Sequence, residues 1–255
     1  MPFYTEEGIQ IPAVTTDQMR EVDRVAVEDF NFEILQMMEN AGRNLAGMVI
    51  NSLDDDGPVL VLAGPGGNGG GGICCVRHLR NHGIDVSLAL TKQPSELGKA
   101  AAAQYHILSH SGFHALPTEG VEHALRTSKI VVDAIIGYSL QGAPRGKAAE
   151  LISLASEHAP RIISLDVPSG LDSTSGEAPG VFISPEITLT LALPKTGLSG
   201  SSCALYLADI GIPSEVYSRI GIHYEPFFAG RYSIPIEFRK QANSDKNLAF
   251  QQGEN

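Results

Sequence analysis

The sequence predicts an α/β fold on a mostly parallel sheet, and three observations carry that reading. Apolar runs such as Pro58-Val-Leu-Val-Leu62 and Lys129-Ile-Val-Val-Asp-Ala-Ile-Ile136 are continuous rather than alternating, as in strands covered on both faces. Segments with apolar residues at helical spacing fall between such runs, so strand and helix alternate. Directly after the first run, the ten residues from Ala63 to Gly72 hold seven glycines. Glycine costs roughly 0.5–1 kcal/mol relative to alanine in regular structure, so a cluster this dense serves positive φ or close backbone approach.

Taken in order, Thr15 and Thr16 precede a helical pattern through Met19, Val22, Val25 and Ala26. A second helix runs from about Phe32 to Leu53 through Leu35, Met38, Ala41, Leu45 and Met48, so two helices are expected before the first strand at 58–63. Ile73 to Leu79 is apolar at helical spacing, which makes strand, glycine loop and helix one βα unit. A strand at 84–90, an alanine-rich helix from Ser95 to Ser109, a weak strand near Phe113 and a short helix near Gly120 to Arg126 follow. Beyond the run at 129–136 come a helix at Lys147 to Glu157 and strands at Arg161 to Leu165 and Ile187 to Leu193. Ala204 to Leu207 reads as an edge strand, and Ile212-Pro-Ser214 starts a short helix. Residues 1–240 are expected to form a single domain, and the polar stretch 241–255, with too little apolar content to pack, a disordered tail.

A chain of 255 residues with 43% hydrophobic content can bury one large core. A formal charge of −11 and the absence of any Lys/Arg-rich run exclude a nucleic-acid footprint. Cys74, Cys75 and Cys203 have neither disulfide nor zinc spacing. No secretory signal and no run of 18 apolar residues is present, so a cytoplasmic protein without membrane partners is expected. His106, His110 and His114 have four-residue spacing, but Ser111-Gly112 breaks the helix between them, which favours a surface helix end over a metal site.

Parallel sheets bind ligands beyond the carboxyl ends of their strands. That rule selects 63–72, 133–143 and 166–170. Gly64, Gly66 and Gly69 match a dinucleotide-binding fingerprint in strand-to-helix context, and amides at the helix start would face phosphate. The acid that grips ribose in ordinary dehydrogenases is missing from the end of the next strand, where only Asp85 occurs, near its start. No Gly-Lys-Ser/Thr closes the loop as in P-loop nucleotidases. Asp166 follows a strand, with Pro168 fixing the turn and Ser169 presenting a hydroxyl; its carboxylate suits acid–base work, a ribose or a cation. Asp133 ends another strand, and two strand-end carboxylates facing one cleft suggest a hard ion, with so low-charge and backbone-rich a site suiting a monovalent one. Lys195, closing the strand at 187–193, would neutralise phosphate or support proton transfer.

Met38-Glu-Asn-Ala-Gly42, Gly64-Pro-Gly66 through Gly72 with Arg77-His78-Leu79, Val132-Asp-Ala-Ile-Ile-Gly137, Leu165-Asp-Val-Pro-Ser-Gly-Leu-Asp172, Pro194-Lys195 and Leu207-Ala-Asp-Ile-Gly-Ile-Pro213 occur in one order. Together they make residues 15 to 235 resemble the YjeF N-terminal domain family, whose best characterised members are NAD(P)H-hydrate epimerases. The resemblance implies a three-layer α/β/α Rossmann-like sandwich, often a homodimer, that binds hydrated NAD(P)H (NAD(P)HX) with a potassium ion, K+, nearby.

It also implies Asn68, Asp133 and Ser169 as potassium ligands, and substrate contacts at Gly67, Asn68, Gly69, Gly70, Gly71, at Gly137, Tyr138, Ser139, Leu140, Gln141, Gly142, Ala143, and at Asp166. Such members read Asn-Asn-Gly-Gly-Asp where this chain has Gly67-Asn68-Gly69-Gly70-Gly71. The two departures keep a noncatalytic nucleotide-binding or scaffold module, or an enzyme acting on another phosphorylated nucleotide, as alternatives. For the epimerase, one group must protonate a leaving ring hydroxyl and deprotonate returning water; Asp166 is the expected catalytic group, with Lys195 as supporting cation. Members are often fused to a kinase-like dehydratase, for which nothing after residue 235 has room, so a separate NAD(P)HX dehydratase is the expected partner.

Overall fold

The computed structural model of the chain describes residues 2–239. The tail expected at 241–255 lies outside the described residues. Among these, no helix is long and apolar enough to cross a membrane.

Among the described residues, nine strands form one sheet. They are β1 (Phe3–Thr5), β2 (Gln10–Ile11), β3 (Val59–Ala63), β4 (Val86–Leu90), β5 (Ile130–Ala134), β6 (Ile162–Leu165), β7 (Ile187–Leu191), β8 (Ala204–Ala208) and β9 (Ser233–Phe238). Seven helices flank them: α1 (Thr16–Glu28), α2 (Ile34–Ser52), α3 (Gly67–Asn81), α4 (Lys99–His110), α5 (Thr118–Thr127), α6 (Gly146–His158) and α7 (Ser214–Arg219). The spatial order is β2-β1-β9-β8-β7-β6-β5-β3-β4, parallel from β4 through β8 and antiparallel from β8 outward to β2.

Alternation along β3 explains the layers. Val59, Val61 and Ala63 pack with Leu45 and Val49 of α2, Ile73 and Val76 of α3 and Leu108 of α4. Leu60 and Leu62 point the other way, into a cluster with Leu125 of α5 and Leu151 and Ile152 of α6. A strand fully buried on both faces needs apolar residues at every position, hence its unbroken run. A third cluster joins Met19, Val22 and Val25 of α1 to Leu205, Leu207, Ile234 and Ile236 of β8 and β9 and to Phe3 and Ile11.

Several expectations are corrected. Ala204–Ala208 is an interior strand, because β9 pairs with it and β1 with β9. Two short strands, β1 and β2, precede the first helix. At three and two residues they are too short to show a period, and the register placing Pro235 opposite Tyr206 puts in mid-strand a residue that reads as a breaker. The segment at Phe113 is no strand; it gives the sheet one backbone bond, from Leu116 N–H to Leu88 O at 2.7 Å.

The glycine cluster also differs from a simple loop. Gly67 to Gly72 form the first turns of α3. None of the cluster's glycines has positive φ, so close approach is what calls for glycine at 64 and at 69–72, whereas Gly66 and Gly67 have open space around a Cβ. A Cβ on Gly64 would lie 2.0 Å from Ile135 O, one on Gly69 1.7 Å from Gly64 O, and one on Gly72 2.6 Å from the Ala134 Cβ.

After β3 the chain builds β4 on one side, then crosses back to place β5 on the other. This reversal opens a crevice between the carboxyl ends of β3 and β5, where open α/β sheets take ligands.

Candidate active site

A cavity of about 190 Å³ lies in that region, with Asp23, Asn68, Gly137, Tyr138, Asp166 and Lys195 among its polar and backbone walls. Met19 of α1, Ile34, Met37, Met38 and Ala41 of α2, and Ile210 supply apolar walls. Its size suits one ring rather than a whole dinucleotide.

Asp166 and Lys195 form its buried floor, at 4% and 1% exposure. Asp166 follows β6 with φ +68°, a left-handed conformation that Asp tolerates better than most residues. The turn aims its carboxylate so that Oδ1 accepts from Lys195 Nζ and Oδ2 from the Tyr138 N–H at 2.9 Å. Lys195 Nζ also donates to Leu191 O at 2.8 Å and faces Thr190 Oγ1 at 3.5 Å. Each ammonium hydrogen thus has an acceptor, as burial of a charge demands. Val14 pairs with the segment at Lys195 through Val14 N–H to Pro194 O at 2.9 Å and Thr196 N–H to Val14 O at 3.0 Å.

Asp133 and Ser169 meet behind this floor. Asp133 Oδ1 accepts from Ser169 Oγ and the Ile135 N–H, and Oδ2 from the Ser169 N–H and Ser164 Oγ, both at 2.8 Å. Burial pushes its carboxyl above the ordinary range, and the Ser169, Ser164 and Ile135 donors oppose that. Four donors saturate the carboxylate. Asn68 differs: Oδ1 and Nδ2 are both buried without a hydrogen-bond partner among the described residues. It stands beside Gly137, where a Cβ would lie 3.1 Å from Asn68 Cγ and 2.9 Å from Asp166 Oδ2. A glycine at 137 therefore lets the Asn68 and Asp166 side chains share one wall.

In the glycine turn, Gly67 and Gly71 line the cavity, whereas Gly69 and Gly70 back onto Gly64 and Met38. The first intrahelical bond here runs from the Gly70 N–H to Gly66 O at 3.0 Å. The preceding amides, of Gly67, Asn68 and Gly69, make no backbone bond among the described residues, as is usual at a helix start, where such groups can face an anion. A Cβ at 67 would meet nothing within 4 Å, but one at 71 would meet Leu165 Cδ2 at 2.9 Å. Leu165 thus holds the space that a side chain at 71 would need. Of the loop after β5, Gly137, Tyr138 and Ser139 line the cavity; Leu140, Gln141, Gly142 and Ala143 do not.

Sequence reasoning did not select Asp23. It lies on α1 four residues after Met19 and three before Ala26, so an acid shares the helix's core-facing stripe. That placement was the available signal. Tyr138 Oη donates to Asp23 Oδ2 at 2.5 Å, and burial raises the phenol's pKa.

A second cluster lies outside the cavity. Glu39 of α2 accepts from Arg77 Nη2 at 2.5 Å and Cys74 Sγ at 3.3 Å, and pairs with His78 Nε2 at 2.9 Å. Ligand atoms of Glu39, Cys74 and His78 lie within 4.8 Å of one another, but Arg77 already supplies the positive charge there. Burial pushes the Cys74 thiol up to about 12. Burial also works against the Glu39 charge, yet hydrogen bonds from Arg77, Cys74 and His78 bring its carboxyl down to about 2. The stability linked to a depressed carboxyl is fully present above its ordinary value of 4.5 and lost as pH falls toward 2. Glu39→Gln should remove about 1 kcal/mol, small because Glu39 is partly exposed and solvent screens it. Urea unfolding of both proteins from pH 6 to pH 2.5 should show the difference shrinking through that window.

The chain's sequence matches the family described as YjeF-related protein N-terminus over residues 34–197. It is 46% identical over 236 residues to an NAD(P)H-hydrate epimerase of Dehalogenimonas lykanthroporepellens, covering 90% of this chain and 95% of that one. It is 33% identical over 256 residues to the bifunctional NAD(P)H-hydrate repair enzyme of Moorella thermoacetica, covering 92% of this chain and 47% of the longer protein. A crystal structure of the yeast protein ynu0 superposes with a TM-score of 0.77 at 25% identity, covering 88% of this chain and all of that one.

Proposed function

Because the chain belongs to the YjeF-related N-terminal family, we propose that it is an NAD(P)H-hydrate epimerase, an isomerase that interconverts the R and S forms of NAD(P)HX in nicotinamide nucleotide repair. The observation that carries this reading is the buried Asp166–Lys195 pair on the floor of a ring-sized cavity at the sheet's switch point.

The hydrated ring bears a hydroxyl on a carbon beside nitrogen. The nitrogen lone pair assists its departure as water and leaves a planar cation that water re-enters. Asp166 would exchange a proton with the hydroxyl or water on its own face, at an oxygen already fixed by Lys195 or the Tyr138 amide. Met37, Met38 and Ile210 would cover the ring and keep bulk water from it. The free amides at the start of α3 suit the dinucleotide's diphosphate.

For a potassium ion, the unpartnered Asn68 Oδ1 is the atom that fits, with Ser169 Oγ as second ligand. Asp133 orients Ser169 and would bind the ion directly only by releasing one of its donors. The ion would supply fixed positive charge near phosphate or ring oxygens. We further assign a homodimer as the working form and a dehydratase acting on the same hydrate as the activity that completes repair.

Incubation of R-NADPHX with the protein, followed by proton NMR, tests the reading. Equilibration faster than the buffer blank, slowed when sodium replaces potassium, is the expected result. A folded protein that binds the compound yet leaves the blank rate unchanged would instead support the noncatalytic module.

A further inference from the structure

The epimerisation proposed above has a requirement that one fixed carboxyl does not meet. Inversion at the hydroxyl-bearing carbon breaks a C–O bond on one face of the ring and forms one on the other. A group anchored on one side reaches one face, so a second proton carrier is needed unless the ring turns over within the site.

Asp23 lines the same cavity as Asp166. The two carboxylates sit at opposite ends of one residue: the Tyr138 N–H donates to Asp166 Oδ2 at 2.9 Å, and Tyr138 Oη to Asp23 Oδ2 at 2.5 Å. The rigid ring holds a tyrosine's backbone nitrogen and hydroxyl apart, so the two carboxylates reach the one cavity from separate points on its wall. Asp23 Oδ1 has no protein partner among the described residues, and Asp23 forms no salt bridge there. Asp166, by contrast, has both oxygens engaged by donors.

We propose that Asp23 is the second acid–base group of this site, exchanging a proton with the ring hydroxyl on the face opposite Asp166. In one direction, protonated Asp23 gives its proton to the hydroxyl. The C–O bond breaks with its electron pair on oxygen, water leaves, and the ring nitrogen lone pair forms the C=N bond of the cation. Water then adds to the other face, the C=N pair returns to nitrogen, and Asp166 takes the surplus proton. The reverse direction begins with the proton on Asp166, and exchange with solvent resets either form.

The surroundings suit that division. Burial raises the Asp23 carboxyl above its ordinary value; the Tyr138 hydrogen bond and Lys195 charge oppose the shift, and Asp166 adds to it. The other titratable groups that interact with Asp23 or its Tyr138 partner are Arg20 of α1 and Tyr217 of α7. A carboxyl that holds its proton to higher pH suits the acid role in the direction that starts from Asp23.

The test rests on the epimerase reading and separates the two. Asp23→Asn keeps the shape and can still accept from Tyr138. Purified wild type, Asp23→Asn and Asp166→Asn are incubated with R- and with S-NADPHX in H₂¹⁸O, and both epimerisation and ¹⁸O incorporation are followed, with spontaneous rates subtracted. The expected result is at least a 100-fold loss of epimerisation in Asp23→Asn with ¹⁸O exchange retained for one epimer, because Asp166 still serves its own face. Asp166→Asn should retain exchange for the opposite epimer. A structural role for Asp23 would lower exchange of both epimers and epimerisation together, and that outcome overturns the proposal. Undiminished epimerisation by Asp23→Asn overturns it equally. An inactive, folded wild type sinks the epimerase reading itself.

Discussion

Asp166→Asn should reduce protein-dependent equilibration of the NADPHX epimers by about 10²- to 10⁴-fold, the range associated with losing a positioned acid–base group. The same substitution should also destabilise the fold. Removing the carboxylate leaves the Lys195 ammonium in a site 1% exposed, with Leu191 O and Thr190 Oγ1 as its neutral acceptors. Breaking one side of a buried pair costs about 3–5 kcal/mol, much of it the penalty of the stranded charge. The double variant Asp166→Asn/Lys195→Met should therefore melt above the single variant while remaining equally inactive. Thermal denaturation together with the NMR assay checks both parts. A single variant that melts like wild type would mean that the pair contributes little to stability, and retained turnover would remove Asp166 from the chemistry.

Gly69→Ala should be the most damaging change in the glycine turn. Its new methyl carbon would lie 1.7 Å from Gly64 O and 2.7 Å from Gly64 N, and backbone cannot rotate away as a side chain can. The start of α3 would have to lift off the end of β3, carrying Asn68 out of the cavity wall. Overpacking typically costs 1–3 kcal/mol, and contact with backbone on a fully buried strand end places this case at about the upper limit. Urea unfolding should show that loss. Gly67→Ala, with nothing within 4 Å of its Cβ, should show almost none. Equal stability of the two variants would mean that the turn tolerates a shift.

These contrasts mark how far the sequence could be read. The runs that became β3, β5 and β6 were legible because burial on both faces leaves no room for alternation, and the same logic located the carboxyl-end residues Asp133 and Asp166. The outer antiparallel strands were not, since β1 and β2 are too short to carry a period and Pro235 reads as a breaker inside the continuous β9. Glycine density announced an unusual turn but not its cause. Whether a glycine serves φ or proximity depends on what packs opposite, here Ile135, Ala134 and Met38. Residue types at strand ends placed Asp166 and Lys195 at one sheet edge, and the structure brings them together because they follow neighbouring parallel strands. Asp23 lay hidden because its position is helical: an acid on a core-facing stripe signals a site only once the facing elements are known.

The backbone pairing of Val14 with the segment around Lys195 has a consequence for how the site opens. The chain entering α1 is stitched to the chain leaving β7, so the helix bearing Asp23 and the loop bearing Lys195 behave as one cooperative unit. Local unfolding that frees either one releases the other, and the amides of Val14 and Thr196 should share a single opening free energy. Opening of the cavity is then expected from motion elsewhere, at the α2 wall or the loop after β5, while the floor bearing Asp166 and Lys195 stays clasped between segments far apart in sequence.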